Sequence, residues 1–179
     1  ITERGTDPWG YGRWSFVRYQ GKAGKSLLVV GAYRVGHRTG IAGASTAWYQ
    51  QKVLLTQEGR EIEPEDAFIE DLVTWYTNKV TKDTETIVML DANEQWTEHS
   101  SIRSLAQRLH LENLNTAGGY GFPATHPCIA NPTRDTTIDF CLCSPKILQN
   151  IQYATMVPFD LTCLGDHRGI LIDLDLRKL

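Results

Sequence analysis

The sequence predicts a single domain of mixed α/β (α+β) class, a sandwich of sheets and helices. Short apolar runs at 27–30 and 87–90 alternate with stretches of helical period through the middle of the chain. Strand-like runs stand in pairs toward both ends. The length of 179 residues, with 41% hydrophobic and 22% charged residues, fits one ordinary domain with a buried core, taken here as 1–179.

Each element has a local reason. Residues 14–19 mix aromatic and β-branched side chains and read as a strand. Gly21-Lys22-Ala23-Gly24-Lys25 is turn chemistry, and the apolar run 26–33 reads as a buried strand, so the two form a hairpin. Residues 34–44 are polar and carry Gly36, Gly40 and Gly43, the mark of a loop. Ser45 is placed to cap a helix reaching Gln57. Pro64, Glu65 and Asp66 suit the first turn of a second helix, whose inner face is Phe68, Leu72, Tyr76 and Val80 at four-residue steps. A strand over 86–90 stops abruptly at Asp91-Ala92-Asn93-Glu94. Ser100 or Ser101 opens a helix that turns Ile102, Leu105, Ala106 and Leu109 inward. Residues 118–132 are loop-rich, and 136–142 and 151–157 read as strands. Ile170, Ile172, Leu174 and Leu176 alternate with Leu171, Asp173 and Asp175, a strand with one buried face.

Composition removes some classes of function. No apolar run approaches the roughly 20 residues that span a bilayer. A net charge of −3 argues against a protein that holds nucleic acid by bulk charge. Cys128, Cys141, Cys143 and Cys163 form no CxxC pair and read as buried free thiols. Gly24-Lys25-Ser26 imitates the end of a phosphate-binding P-loop, but position 19 is Tyr where that loop needs Gly, and a strand follows instead of a helix. It reads as the hairpin turn.

The informative feature is where polar residues interrupt apolar strands. Tyr33 ends one strand, Asp91 and Asn93 follow another, Asp139 sits between Ile138 and Phe140, and Asp166-His167 precede the last. Taken singly, Asp91-Ala92-Asn93 is an Asx turn, Asp166-His167 a turn before a strand, and Tyr33 a packing residue. Taken together, carboxylates at strand ends can meet on one rim of a sheet and bind a hard cation. A carboxylate between Ile and Phe needs a partner, and His167 is suited to the role.

In this order the motifs resemble the endonuclease/exonuclease/phosphatase superfamily. Leu90-Asp91-Ala92-Asn93 matches its Gly-Asp-Phe-Asn, and Thr137-Ile138-Asp139-Phe140 its Arg-Ile-Asp-Tyr. Gly165-Asp166-His167 matches its Ser-Asp-His, and Ala32-Tyr33 its strand-ending Ala-Tyr. The resemblance implies a four-layer α/β sandwich, two mixed sheets flanked by helices, of which this chain holds the C-terminal two-thirds, with the N-terminal strands missing. It implies a metal-dependent phosphodiester hydrolase using Mg or Mn. Asp91 would position or deprotonate the attacking water, and Asn93 would orient it and donate to phosphate. His167 would donate to a phosphate oxygen and Asp139 would orient His167. Tyr33 would contact phosphate or the leaving group, and Asp166, with Asp91 and Asn93, would hold the metal.

The polar loop after Tyr33 and the helix bearing Gln50-Gln51 look most like DNA endonuclease domains of reverse-transcriptase-bearing mobile elements. That reading implies a DNA partner, no membrane, a nuclear place of action, and either an absent N-terminal segment or a larger polyprotein as partner. The family's metal-binding Glu has no match, since Glu3 lies in a Gly/Pro-rich opening. Two further readings stay open: a phosphatase or phospholipid phosphodiesterase on the same chemistry, and a degenerate, non-catalytic binding module.

Overall fold

The computed structural model describes residues 1–36, 43–126, 135–158, 166–175 and 177. The order is β1 (Glu3–Thr6), β2 (Trp14–Gln20), β3 (Ser26–Tyr33), α1 (Ala47–Gln57), α2 (Pro64–Lys79), β4 (Thr84–Asp91), α3 (Ser101–Arg108), β5 (Glu112–Asn113), α4 (Leu114–Gly118), β6 (Asp139–Cys143), α5 (Pro145–Gln149), β7 (Ile151–Met156) and β8 (Ile170–Leu174). Six strands form one mixed sheet in the order β1-β2-β3-β4-β6-β5, with β3 and β4 parallel. A second sheet is the antiparallel pair β7–β8.

Alternation along the central strands sends their two faces to two cores. Leu28, Val30, Val88, Leu90, Phe140 and Leu142 pack under Phe68, Leu72, Trp75, Ile102 and Leu105 of α2 and α3. On the opposite face Ile87, Cys141 and Cys143 meet Leu114, Ile147 and Ala154. Helices therefore flank one sheet, and the second sheet lies against its other side. This is the α/β sandwich the motifs imply. Toward β2 and β3 that other side is more open, with Tyr19 and Met89 each 45% exposed.

Local corrections are small and physical. Thr46, not Ser45, caps α1, because its hydroxyl reaches the Tyr49 N–H. Val80 is the extended residue that closes α2, and its side chain still packs against the core with Phe68, Leu72 and Tyr76. Strand β6 begins at Asp139 instead of 136, since Thr136 pairs only with His126 in an isolated bridge. The Gly21–Lys25 turn is a hairpin turn, as its chemistry suggests, with Gly24 at φ +79° and Lys25 paired to Asp83 at 3.1 Å. Cys141 and Cys143 are buried and free. Cys128, Cys163, Leu176 and loop positions 37–42 lie outside the described residues.

Strand β1 was not legible as a strand. Its residues, Glu-Arg-Gly-Thr, lack an apolar face, but it pairs antiparallel with β2 and Glu3 bonds to Arg18 and Lys79. Arg18 also reaches Ser26 and Thr84, the first residues of β3 and β4. Tyr33 and Asp91 stand at the other end of those strands, seven residues or roughly 23 Å away. Glu3 is thus far from the rim that gathers the candidate residues.

Candidate active site

Strand register builds the site. Tyr33 is the Cα partner of Asp91 across β3 and β4, and Asp91 is the partner of Asp139 across β4 and β6. Residues in directly opposite register share a face, so the three side chains form a row across three neighbouring strands. Just past the row, Asn93 adopts φ 50°, a left-handed conformation that Asn tolerates. The Asx turn is present: Asp91 Oδ1 accepts the Asn93 N–H at 3.1 Å. The Asn93 amide donates to the Arg34 carbonyl at 2.8 Å through its nitrogen, so its side-chain oxygen keeps its acceptor capacity. Gly36 lies close behind: a Cβ there would meet the Asn93 Cβ at 3.4 Å.

His167 closes the arrangement from a separate segment. Its Nδ1 donates to Asp139 Oδ2 at 2.8 Å. This bond fixes the ring and directs Nε2 away from Asp139. One ligand atom each from Asp91, Asp139 and His167 lies within 4.8 Å of the others. Asp166 flanks His167 from the far side, with a carboxylate 79% exposed and an oxygen 3.7 Å from Nε2. All six residues singled out in the sequence therefore reach one rim, Tyr33 through backbone register alone.

Electrostatics differ between the two central groups. Burial raises the Asp91 carboxyl above the usual carboxylate range, and the Asp139 charge adds to the rise, against the Asn93 N–H and the imidazoles of His167 and His126. For His167, burial alone would lower the imidazole. The Asp139 hydrogen bond and charge, with Asp91 and Asp166, overcome that and leave it above the ordinary histidine value. Its protonation therefore favours the folded chain fully below the ordinary value, and that contribution is lost as pH rises through the folded one. Asp139→Asn should lower the His167 pKa, read by ¹⁵N NMR titration in metal-free buffer. An unchanged titration would mean that Asp139 does not govern the ring.

No family model and no curated protein matches this sequence. Solved structures do. The 3′ phosphatase NExo from Neisseria, bound to product DNA hairpin, superposes with a TM-score of 0.60 at 14% identity, over 92% of this chain and 65% of that one. The endonuclease domain of TRAS1, a telomere-specific non-LTR retrotransposon, gives 0.57 at 13%, over 92% and 64%. An AP endonuclease from Archaeoglobus fulgidus gives 0.60 at 12%, over 98% and 70%. This chain has the endonuclease/exonuclease/phosphatase fold. It spans about two-thirds of the length of these neighbours.

Within that endonuclease/exonuclease/phosphatase fold, the donor chemistry suits a divalent cation. Carboxylates of Asp139 and Asp166 stand against the two ring nitrogens of His167. The carboxylates and imidazoles of the rim fall into two groups. Asp91 belongs to a group with Asp139 and His167, and Asp166 to another with His126 and His167. Only His167 is common to both.

Sequence reading missed three supporting residues. Thr125 is 1% exposed, and its hydroxyl accepts the N–H groups of Ile138 and Asp139 at 3.0 and 3.1 Å. Its carbonyl accepts the Arg168 N–H at 2.7 Å. One threonine thus ties the start of β6 to the turn that carries His167. Its neighbour His126 stands beside Asp166 and His167, and both sat inside a stretch read only as loop. Arg34, buried behind the rim, donates to the carbonyls of Glu65 and Ala92 and pairs with Glu94 at 3.4 Å. Burial holds its guanidinium below the usual arginine value, with Glu94, Glu65 and Asp66 opposing. Thr125→Val removes the acceptor of two N–H groups and should cost about 2 kcal/mol in urea unfolding. A loss under about 0.5 kcal/mol would show that the tie is dispensable.

Proposed function

We propose that this chain is a phosphodiester hydrolase that cleaves nucleic acid, DNA in the first instance, with the help of a divalent metal. The observation that carries the reading is the Tyr33–Asp91–Asp139 row with His167 bonded to its last member. Such a rim offers an acceptor for the proton of attacking water beside a donor for phosphate. Asp91 orients that water and accepts its proton. Its pKa, raised by burial and by the Asp139 charge, makes it a better base than an ordinary aspartate. Asn93 steadies Asp91 through its backbone N–H. His167, held by Asp139, directs an Nε2–H at the phosphate oxygen on which charge develops. Tyr33, 43% exposed, lies at the open end of the row, where it can contact phosphate or the leaving group. Asp166, with Asp91 and Asn93, would hold the cation. When bound, that ion supplies Lewis acidity and counter-charge to the phosphate.

The neighbours support this reading at different depths. Two are named as endonucleases and one as a 3′ phosphatase bound to DNA. The TRAS1 domain favours a mobile-element endonuclease, the finer form of this proposal. The NExo phosphatase favours a second reading, removal of a terminal phosphate from DNA. A panel in Mg²⁺ and in Mn²⁺ separates them: supercoiled plasmid, an abasic duplex, a 3′-phosphorylated oligonucleotide, RNA and a phospholipid. Plasmid nicking is the expected result. Release of inorganic phosphate without nicking would transfer the assignment to the phosphatase. Inertness toward every substrate, in this chain and in a version extended at its N-terminus, would leave a binding module.

A further inference from the structure

His126, which the proposed hydrolytic mechanism does not use, converges with Asp166 and His167. His126 Nε2 lies 3.6 Å from Asp166 Oδ2, and His167 Nε2 lies 3.7 Å from Asp166 Oδ1. The two rings are 4.9 Å apart between centroids, tilted by 59°. Both contacts, one to each carboxylate oxygen, are too long for good hydrogen bonds, and one ligand atom from each residue lies within 4.8 Å of the others.

We propose that these three residues form a site for a borderline transition ion, of the zinc or cobalt class. Bonds of about 2.05 Å to a tetrahedral ion place ligand atoms about 3.3 Å apart, so a set that already lies within 4.8 Å must draw in modestly around the ion. Two imidazoles and one carboxylate prefer such an ion over magnesium, which favours oxygen and holds its water tightly. The supports are fixed too. Asp139 takes the Nδ1–H of His167, the second-shell bond that presents Nε2 as a ligand. The His126 backbone exchanges two hydrogen bonds with Thr136, at 2.9 and 3.1 Å. Its neighbour Thr125 holds the Arg168 N–H beside His167, so both imidazoles stand on tied backbone. A fourth position stays open to water, since the three ligands are partly exposed.

Occupancy has a chemical consequence that rests on the proposed function. The ion takes the Nε2 electron pair and the Nε2 proton is released to solvent, so His167 no longer carries the Nε2–H that would meet phosphate. The ion and the phosphate then compete for one nitrogen, and the site acts as a brake.

Binding is testable without any turnover. The 179-residue chain, stripped of metal, is titrated with Co²⁺ and followed by visible absorption, then with Zn²⁺ in a calorimeter. One ion with tetrahedral d–d bands is expected. His126→Ala should weaken it at least about tenfold. His126→Gln, which keeps a polar side chain of similar reach, should weaken it as well, with circular dichroism confirming that both variants fold. Asp91→Asn should leave affinity unchanged. The proposal fails if Co²⁺ does not bind, if His126 variants bind equally well, or if Asp91→Asn is the variant that loses the ion. A thiolate-to-cobalt charge-transfer band would also overturn it, by placing the ion on cysteines. Magnesium-dependent cleavage without cobalt binding would defeat this site and leave the hydrolase reading intact. Cobalt binding without cleavage would do the reverse.

Discussion

Replacing His167 with Ala is expected to lower single-turnover cleavage of DNA in Mg²⁺ by about 10²- to 10³-fold, the usual cost of losing one preorganised donor. The reason is geometric. Among the described residues, His167 alone is common to both titratable groups on the rim, and its Nδ1 is already committed to Asp139 at 2.8 Å. That commitment leaves Nε2–H as the donor available to a phosphate oxygen. The bond strengthens as charge develops, so kcat should fall while KM changes little. Asp139→Asn should act through the ring, and combining it with His167→Ala should cost no more than His167→Ala alone. Additive losses would give Asp139 an independent role. Undiminished cleavage by His167→Ala would remove this histidine from the chemistry.

The second large effect concerns stability. Arg13 is 1% exposed, yet it bonds Asp7 at 2.7 and 3.2 Å and Asp71 at 2.8 Å. Arg60 grips Asp71 from the other side through two bonds of 2.8 Å. The Arg13 guanidinium also lies over the rings of Tyr11 and Trp14, at 4.5 and 4.8 Å. Arg13→Met keeps most of the volume but leaves Asp7, whose side chain is wholly buried, without its cation. Such a break typically costs about 3–5 kcal/mol, because the remaining charge has no water to replace its partner. For a chain of this size the melting temperature should drop by about 10 °C. Adding Asp7→Asn should restore part of the loss, since it removes the stranded charge. Full stability in Arg13→Met would mean that the ion pairs and ring contacts offset only their own desolvation. The Arg13 carbonyl also accepts the Tyr33 N–H at 2.8 Å, so this variant tests whether the rim feels the cluster behind it.

Much of the fold was legible because its signals are local. Pro64 with Glu65 and Asp66 begins α2, Ser100 caps α3, and the apolar run before Asp91 is β4. The Asx turn at Asp91 is equally local. What placed Asp139 and His167 beside it was the order of four motifs, because nothing within either segment states which strands will be neighbours. Register decides that, and register is set by packing between residues far apart in the chain. The same limit hid Thr125 and His126. Their stretch carries neither period nor cap, and their importance comes from Asp139, Thr136 and Arg168, residues 10 to 43 positions away. Strand β1 escaped for a related reason. It is an edge strand held by pairing and by charge, with little apolar surface to betray it.

The row across β3, β4 and β6 has one more consequence. Its three side chains meet only while each strand keeps its alignment to the residue. Sliding β4 by a single position would swing Asp91 through the sheet into the greasy layer beneath the helices and bring Leu90 or Ala92 to the surface in its place. Partially assembled chains therefore cannot offer a half-working pocket. The row can exist only once all three strands hold their register.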